Sequence, residues 1–214
     1  MKTVFVLVGD YWHSAASIHP LMEQIFDQGW KVTYTERPED IYDLAEIPDI
    51  ILSFKDPIEN DQIPTDIWCD SRWTDHLEEL VAKKGTGLIL AHAAVTDLDR
   101  EHRIMKDMIH SMFITHPEQC PMQMIKTAEH PVMDGVENFE FPEKDEQYQM
   151  EMTDIEAVQI LAYTQTDHGR QPAVWISELE NGKICCLTPA HTTKNLTCEG
   201  FVTIMKNAIN WCSR

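Results

Sequence analysis

The chain of 214 residues contains no apolar run approaching the roughly 18 residues of a membrane-spanning helix. Its apolar start, Lys2-Thr3-Val4-Phe5-Val6-Leu7-Val8-Gly9-Asp10, is too short for a signal-peptide core. The expected compartment is therefore the cytoplasm. Basic residues are scarce: 17 Lys and Arg stand against 36 Asp and Glu, a net charge of -19. Such a surface repels phosphate backbones and anionic lipid, so neither nucleic acid nor a membrane is an expected partner. The six cysteines (Cys69, Cys120, Cys185, Cys186, Cys198 and Cys212) show no CxxC pair and no framework spacing. That argues against a disulfide scaffold and for reduced thiols. There is no GxGxxG after the first strand, which disfavours a dinucleotide, and no GxxxxGK[ST], HExxH or GxSxG. No repeat, low-complexity tract or Gly/Ser linker divides the chain.

What is present is ordinary globular composition, 43% hydrophobic and 25% charged. The length fits one domain over residues 1–214. Val4 to Val8 is a continuous apolar run, as expected of a strand covered on both faces. Pro20 suits a first helical turn, Leu21, Ile25 and Phe26 an apolar helix face, and Gly29 a stop. Trp30 to Tyr34 and Asp49 to Phe54 read as the next strands. Ser71 can cap a helix whose Trp73, Leu77, Leu80 and Val81 share a face and which Gly85 ends. Gly87 to Ala91 is a fourth buried strand, and Arg100 to His110 a further helix. Repeated strand–helix–strand units imply right-handed crossovers and a parallel sheet. In the second half, strands are expected at Met122 to Lys126, Ala157 to Tyr163, Ala173 to Glu178 and Lys183 to Leu187. Asn181-Gly182 signals a hairpin between the last two. A closing helix spans about Glu199 to Trp211. The expected fold is α/β: a three-layer sandwich with a mostly parallel flavodoxin-like sheet, helices on both faces and an antiparallel extension.

Ligands of open α/β sheets bind beyond the carboxyl ends of the strands. After strand one come Asp10, Tyr11, Trp12 and His13, with His19 leading into the first helix. After strand four comes His92, and after the last strand Thr188-Pro189-Ala190-His191. Between them lies the acidic-aromatic run Glu143 to Tyr148. A single histidine near a strand end is ordinarily a satisfied polar or capping residue, and Asp145 and Glu146 could be surface charge. His92 and His191 stand out because each follows a buried strand. His76, His102, His110 and His168 fall in helical or turn stretches and are expected to be solvated. His116, before Pro117, has no evident role. Cys185 and Cys186 lie inside a strand and read as packing residues.

The order of several segments resembles the ThuA-like (trehalose-utilisation) family, within the class I glutamine-amidotransferase-like fold. These are Gly9-Asp10-Tyr11-Trp12-His13, Gly85 to His92, His130-Pro131-Val132-Met133-Asp134-Gly135-Val136, Asp145-Glu146-Gln147-Tyr148, Pro172-Ala173-Val174-Trp175, Gly182 to His191, and Asn207 to Trp211. Ala93 stands where the family usually has Gly, and Tyr11-Trp12 replace the usual extra glycines. The resemblance implies that the late histidine of the amidotransferase-like fold is kept as His191, while the elbow position that holds a cysteine in glutaminases holds His92. Glutaminase activity through a thioester is therefore not expected.

Three readings stay open. In the first, the chain acts in utilisation of trehalose or a related keto-disaccharide by acid/base chemistry, with His191, His92 and Glu146 catalytic. Trp12, His19, Asp145 and Tyr148 would contact the sugar. In the second, a metal-dependent hydrolase, His13, His92, His191 and Glu146 would hold zinc or a similar divalent ion, although no local ligand spacing marks them. The third is a non-catalytic sugar-binding or regulatory domain. A small sugar is the expected partner in all three, and a homo-oligomer is left open.

Overall fold

The computed structural model describes residues 1–59, 63 and 66–213. In chain order its elements are β1 (Lys2–Leu7), α1 (Ala15–Ile25), β2 (Trp30–Thr35), β3 (Ile50–Ser53), α2 (Ser71–Glu78), β4 (Gly87–Ala91), β5 (Ser111–Thr115), β6 (Gln123–Lys126), β7 (Phe139–Glu140), β8 (Gln149–Met152), β9 (Gln159–Thr166), β10 (Gly169–Leu179), β11 (Gly182–Leu187), α3 (Thr193–Leu196) and α4 (Glu199–Cys212). Among the described residues, nine strands form one sheet in the order β2-β1-β3-β4-β11-β10-β9-β6-β7. The first five run parallel, in flavodoxin-like order; the remaining pairings are antiparallel. β5 and β8, which have no strong turn signals in the sequence, pair as a separate two-stranded sheet.

Alternation along the parallel strands builds two cores, because successive side chains point to opposite faces. Val4, Val6, Ile50, Leu52, Ile89, Cys185 and Leu187 pack with α1 and α4. Phe5, Leu7, Ile51, Leu88, Leu90, Ile184 and Cys186 pack with α2. The continuous apolar runs are thus covered on both sides, and the adjacent Cys185 and Cys186 fill opposite cores. No helix of the described residues is long and apolar enough to cross a membrane.

The local expectations need several corrections. Pro20 lies inside α1, not in its first turn; the helix starts at Ala15, and burial of Ile18, Leu21, Met22 and Ile25 outweighs the one intrahelical bond that proline forfeits. Asp70, not Ser71, caps α2, its carboxylate accepting from the Trp73 N–H. The helix expected over Arg100 to His110 shrinks to a π-helical segment, Ile104–Ile109, closed by His110 in the left-handed region at φ 55°. The β10–β11 hairpin is real, but the positive φ falls on Glu180. Gly182 is required for a different reason: a Cβ there would strike the Val81 backbone carbonyl at 2.6 Å.

Candidate active site

Four parallel strands end at one cleft of about 230 Å³. After β1, Gly9 takes φ 74° and turns the chain. Asp10 then organises the loop. Its Oδ1 accepts the backbone N–H of Trp12 (2.8 Å) and of His13 (2.7 Å) and lies 2.8 Å from His13 Nδ1. Its Oδ2 accepts the Asp56 N–H at 2.9 Å, tying the β1 loop to the end of β3. After β4, His92 adopts φ 52°, a strained elbow that lifts its ring out of the sheet. His92 Nδ1 lies 2.9 Å from the Thr188 carbonyl beyond β11.

The third histidine is set by a buried carboxylate. Asp145 is fully buried and accepts the N–H groups of Ala190 and His191, both at 3.0 Å. It also accepts from the Asn195 amide at 2.9 Å and from the Glu146 N–H at 2.8 Å. One side chain therefore holds the β11 loop, where Ala190 is forced to φ 80°, and aims both His191 and Glu146.

The result is a convergence. His13 Nε2 lies 3.2 Å and His92 Nε2 3.1 Å from His191 Nδ1. Glu146 Oε2 is 3.3 Å from His191 Nδ1 and 3.7 Å from His92 Nε2. One ligand atom from each of the three imidazoles falls within 4.8 Å of the others. Two tautomers follow from the partners. Burial opposes ionisation of Asp10, but its hydrogen bond and contact with His13 win and hold its carboxyl below the usual range. An ionised carboxylate and a carbonyl both only accept, so His13 and His92 each carry a proton on Nδ1, and both Nε2 atoms face His191. The Tyr148 hydroxyl, 3.1 Å away, donates to His92 Nε2. Burial, reinforced by the neighbouring His13, pushes His92 down to about 3, so it is neutral at physiological pH. Burial alone would raise Glu146; the His191 hydrogen bond and the surrounding imidazoles outweigh it and hold the carboxyl at about 2. His191 is raised, first by that same hydrogen bond.

His13, His92, His191 and Glu146, expected as a ligand pool, thus come together, and Trp12 lines the same cleft. Other expectations shift. Asp145 is a buried clamp, not a sugar contact. The Tyr148 ring is stacked on His92 (centroids 4.6 Å) and His116 (5.8 Å), which leaves its hydroxyl and edge, not its faces, to a ligand. His19 lies exposed on α1 beside Glu23 and Tyr34, away from the cleft-lining residues. His76, His102 and His110 are half-buried rather than solvated, and His168 is exposed. The sequence reading missed His116, whose Nε2 is 3.9 Å from Glu146 Oε2, and Phe113, Asp56, Thr96 and Asp97, which also line the cleft. The strand-end rule applied to β3 would have found Asp56. Nothing local marks His116 or Phe113, which the β5–β8 pairing brings in.

These residues suit an ion. Nitrogens bound to one tetrahedral zinc at ~2.0–2.1 Å lie about 3.3 Å apart, close to the 3.1 and 3.2 Å found here. A carboxylate and a backbone carbonyl on the far ring nitrogens are the usual outer support of such ligands.

The ThuA family model, described as trehalose utilisation, matches residues 4–212. No curated protein matches the sequence. Among solved structures, a ThuA-like protein from Parabacteroides merdae is 17% identical with a TM-score of 0.73, over 99% of this chain and 89% of that one. A cytoplasmic protein from Salmonella typhimurium LT2 is 14% identical with a TM-score of 0.66 over the whole of both chains. Agd3, a carbohydrate deacetylase, is 10% identical with a TM-score of 0.60, over 95% of this chain and 32% of its own length. At these identities the structural likeness concerns the fold alone, whereas the family model spans nearly the full sequence: the chain belongs to the ThuA family of trehalose utilisation, which supports a carbohydrate-related role.

Proposed function

We propose that the chain is an enzyme acting on a carbohydrate in the cleft between β1, β3, β4 and β11, with His13, His92 and His191, assisted by Glu146, holding a zinc-like divalent ion. The supporting observation is the pair of rings, each held through Nδ1, whose Nε2 atoms converge on His191 Nδ1, with the Tyr148 hydroxyl as the group an ion would displace from His92. An acid/base role for His92 fits poorly, because a ring held near a pKa of about 3 carries no proton to donate at neutral pH. The ion would supply Lewis acidity toward a ligand oxygen. The chain's own residues do the rest. Asp10 and the Thr188 carbonyl orient the rings, Asp145 places His191 and Glu146, and Trp12 offers a face to a sugar. The cleft, about 230 Å³, is smaller than the ~300–1,000 Å³ typical of drug-sized ligands and suits one sugar ring. The family description supports a carbohydrate ligand; the deacetylase neighbour is a carbohydrate enzyme by its own description. With His92 at the elbow position, thioester chemistry on glutamine is not proposed. Without an ion, the His191–Glu146 pair is what remains to move protons, and the raised His191 favours that second reading.

Elemental analysis and zinc titration of the purified chain test the proposal. About one ion per chain is expected, with uptake lost in His13→Ala and His191→Ala. Turnover of trehalose or its keto derivative should disappear on chelation and return with metal. Absent uptake, or turnover indifferent to chelation, overturns the metal reading. Turnover lost only in His191→Ala and Glu146→Gln supports the proton-transfer reading.

A further inference from the structure

Tyr148 is buried, lines the cleft and sits against the imidazole centre. Its place follows from sheet register. β5 and β8 pair antiparallel with Thr115 opposite Gln149, so the next residues outward, His116 and Tyr148, stand side by side. The phenol ring stacks on His92, with centroids 4.6 Å apart, and on His116 at 5.8 Å. Phe113 packs against the same ring at 4.7 Å. These three contacts fix the ring. The freedom left to the side chain is rotation of its O–H about the C–O bond.

The partner of that O–H is a lone pair that an ion would need. His92 Nδ1 donates to the Thr188 carbonyl at 2.9 Å and the ring is neutral, so Nε2 has a lone pair and no proton. The Tyr148 hydroxyl donates to that lone pair across 3.1 Å. One lone pair serves a metal ion or a hydroxyl, not both. Ion uptake therefore takes the acceptor from a buried O–H, a cost that a new acceptor removes. The acidic groups facing the phenol are Glu146, Asp56, Asp145 and Asp97. Asp145 already accepts four donors. Glu146 is engaged by His191 at 3.3 Å, Asp56 accepts from Thr96 and Ile58, and Asp97 is exposed to water. An oxygen of a ligand in the cleft is the acceptor that stays open.

We propose that Tyr148 is a ligand-contacting residue released by the ion: with a divalent ion on His92 Nε2, its hydroxyl turns to donate a hydrogen bond to a carbonyl or acyl oxygen of the bound carbohydrate. The proposal rests on the metal reading given above and adds a substrate class to it. Burial, reinforced by the charge of Glu146, raises the phenol well above its ordinary value, so it keeps its proton while donating. No O–H bond breaks; the hydrogen bond moves from a ring nitrogen to a ligand oxygen. Such a donor suits a carbonyl oxygen that gains negative charge during reaction. It does not suit a glycosidic oxygen, which has to be protonated to leave.

Acetate, whose carboxylate offers an oxygen of this kind, is the probe. Its affinity is measured by calorimetric titration for wild type and Tyr148→Phe, each zinc-loaded and metal-free. Phenylalanine keeps the stacked ring and removes the oxygen alone, and both proteins should take up about one zinc. Loaded with zinc, Tyr148→Phe should bind acetate about 10- to 100-fold more weakly than wild type, the worth of one hydrogen bond to a charged group. Without zinc the two should bind acetate equally, because His92 engages the hydroxyl. A role in pocket shape alone would weaken acetate binding by the same factor with and without zinc. Equal affinities in the loaded proteins, or the same difference without zinc, overturns the proposal. Loss of zinc uptake in Tyr148→Phe also overturns it, since the phenol oxygen would then be a ligand itself. Wild-type protein that takes up no zinc removes the metal reading and this proposal together. Normal zinc uptake with unchanged acetate binding removes this proposal alone.

Discussion

Removing the Asp145 carboxylate should cost stability more than it costs any direct ligand contact. Asp145→Ala strands four donors at once: the N–H groups of Ala190, His191 and Glu146 and the amide of Asn195, all bonded at 2.8–3.0 Å. Hydrogen bonds to charged groups are worth ~1.5–3 kcal/mol each, a gross loss of roughly 6–12 kcal/mol. Burial of the carboxylate offsets part of this, and its pKa is raised for that reason. The net loss expected is about 3–5 kcal/mol, typical of breaking a buried charged network on one side. At ~2–4 °C per kcal/mol for a chain of this size, the melting temperature should fall by about 6–20 °C. Asp145→Asn turns an NH₂ toward one or more of the same donors and should lose most of that amount. His191→Ala, whose side chain is a quarter exposed, removes one hydrogen bond to the Glu146 carboxylate and should cost about 1.5–3 kcal/mol, less than Asp145→Ala. Calorimetric melting of the three variants is the assay. An Asp145→Ala protein that melts within about 2 °C of wild type yet no longer binds ion or sugar would refute the clamp and restore Asp145 as a ligand contact.

Other consequences are separable. Asp10→Asn keeps one acceptor oxygen but loses the charge behind His13, so zinc affinity measured by calorimetric titration should weaken by ~10–100-fold with the fold retained; unchanged affinity would show that the ring needs no such support. Glu146 is depressed to about 2 in the folded chain against roughly 4.3 when unfolded. Its contribution to stability is therefore present above about pH 4.3 and lost as the pH falls toward 2, and Glu146→Gln should flatten that part of the acid-unfolding curve. Acid limbs that superimpose would contradict the pairing with His191. Gly87→Ala places a Cβ against the Cys212 backbone carbonyl at the end of α4. Chemical denaturation should show a loss of about 1–3 kcal/mol, with the cleft chemistry unchanged in the folded fraction.

The apolar runs from Val4, Ile50, Leu88 and Ile184 determined the parallel half of the sheet without reference to structure, because a strand covered on both faces has few other sequences to choose from. The same rule placed His13, His92 and His191 at one edge, since strand order and strand direction carry chain positions far apart to a common end. What the sequence could not carry was the role of each neighbour. Asp145 and Glu146 are adjacent, yet one is sealed beneath the β11 loop and the other faces the imidazoles. Alternation along an irregular segment has no fixed phase, so only packing decides which side chain turns inward. Tyr148 and His116 form a stack because β5 pairs with β8, a contact between weakly marked strands about 35 residues apart. His19 follows a strand-end loop in sequence but sits on the outward face of α1. Asp56 and Asp97 are 41 positions apart and line one cleft only because β3 and β4 are neighbours whose following loops reach the same end of the sheet.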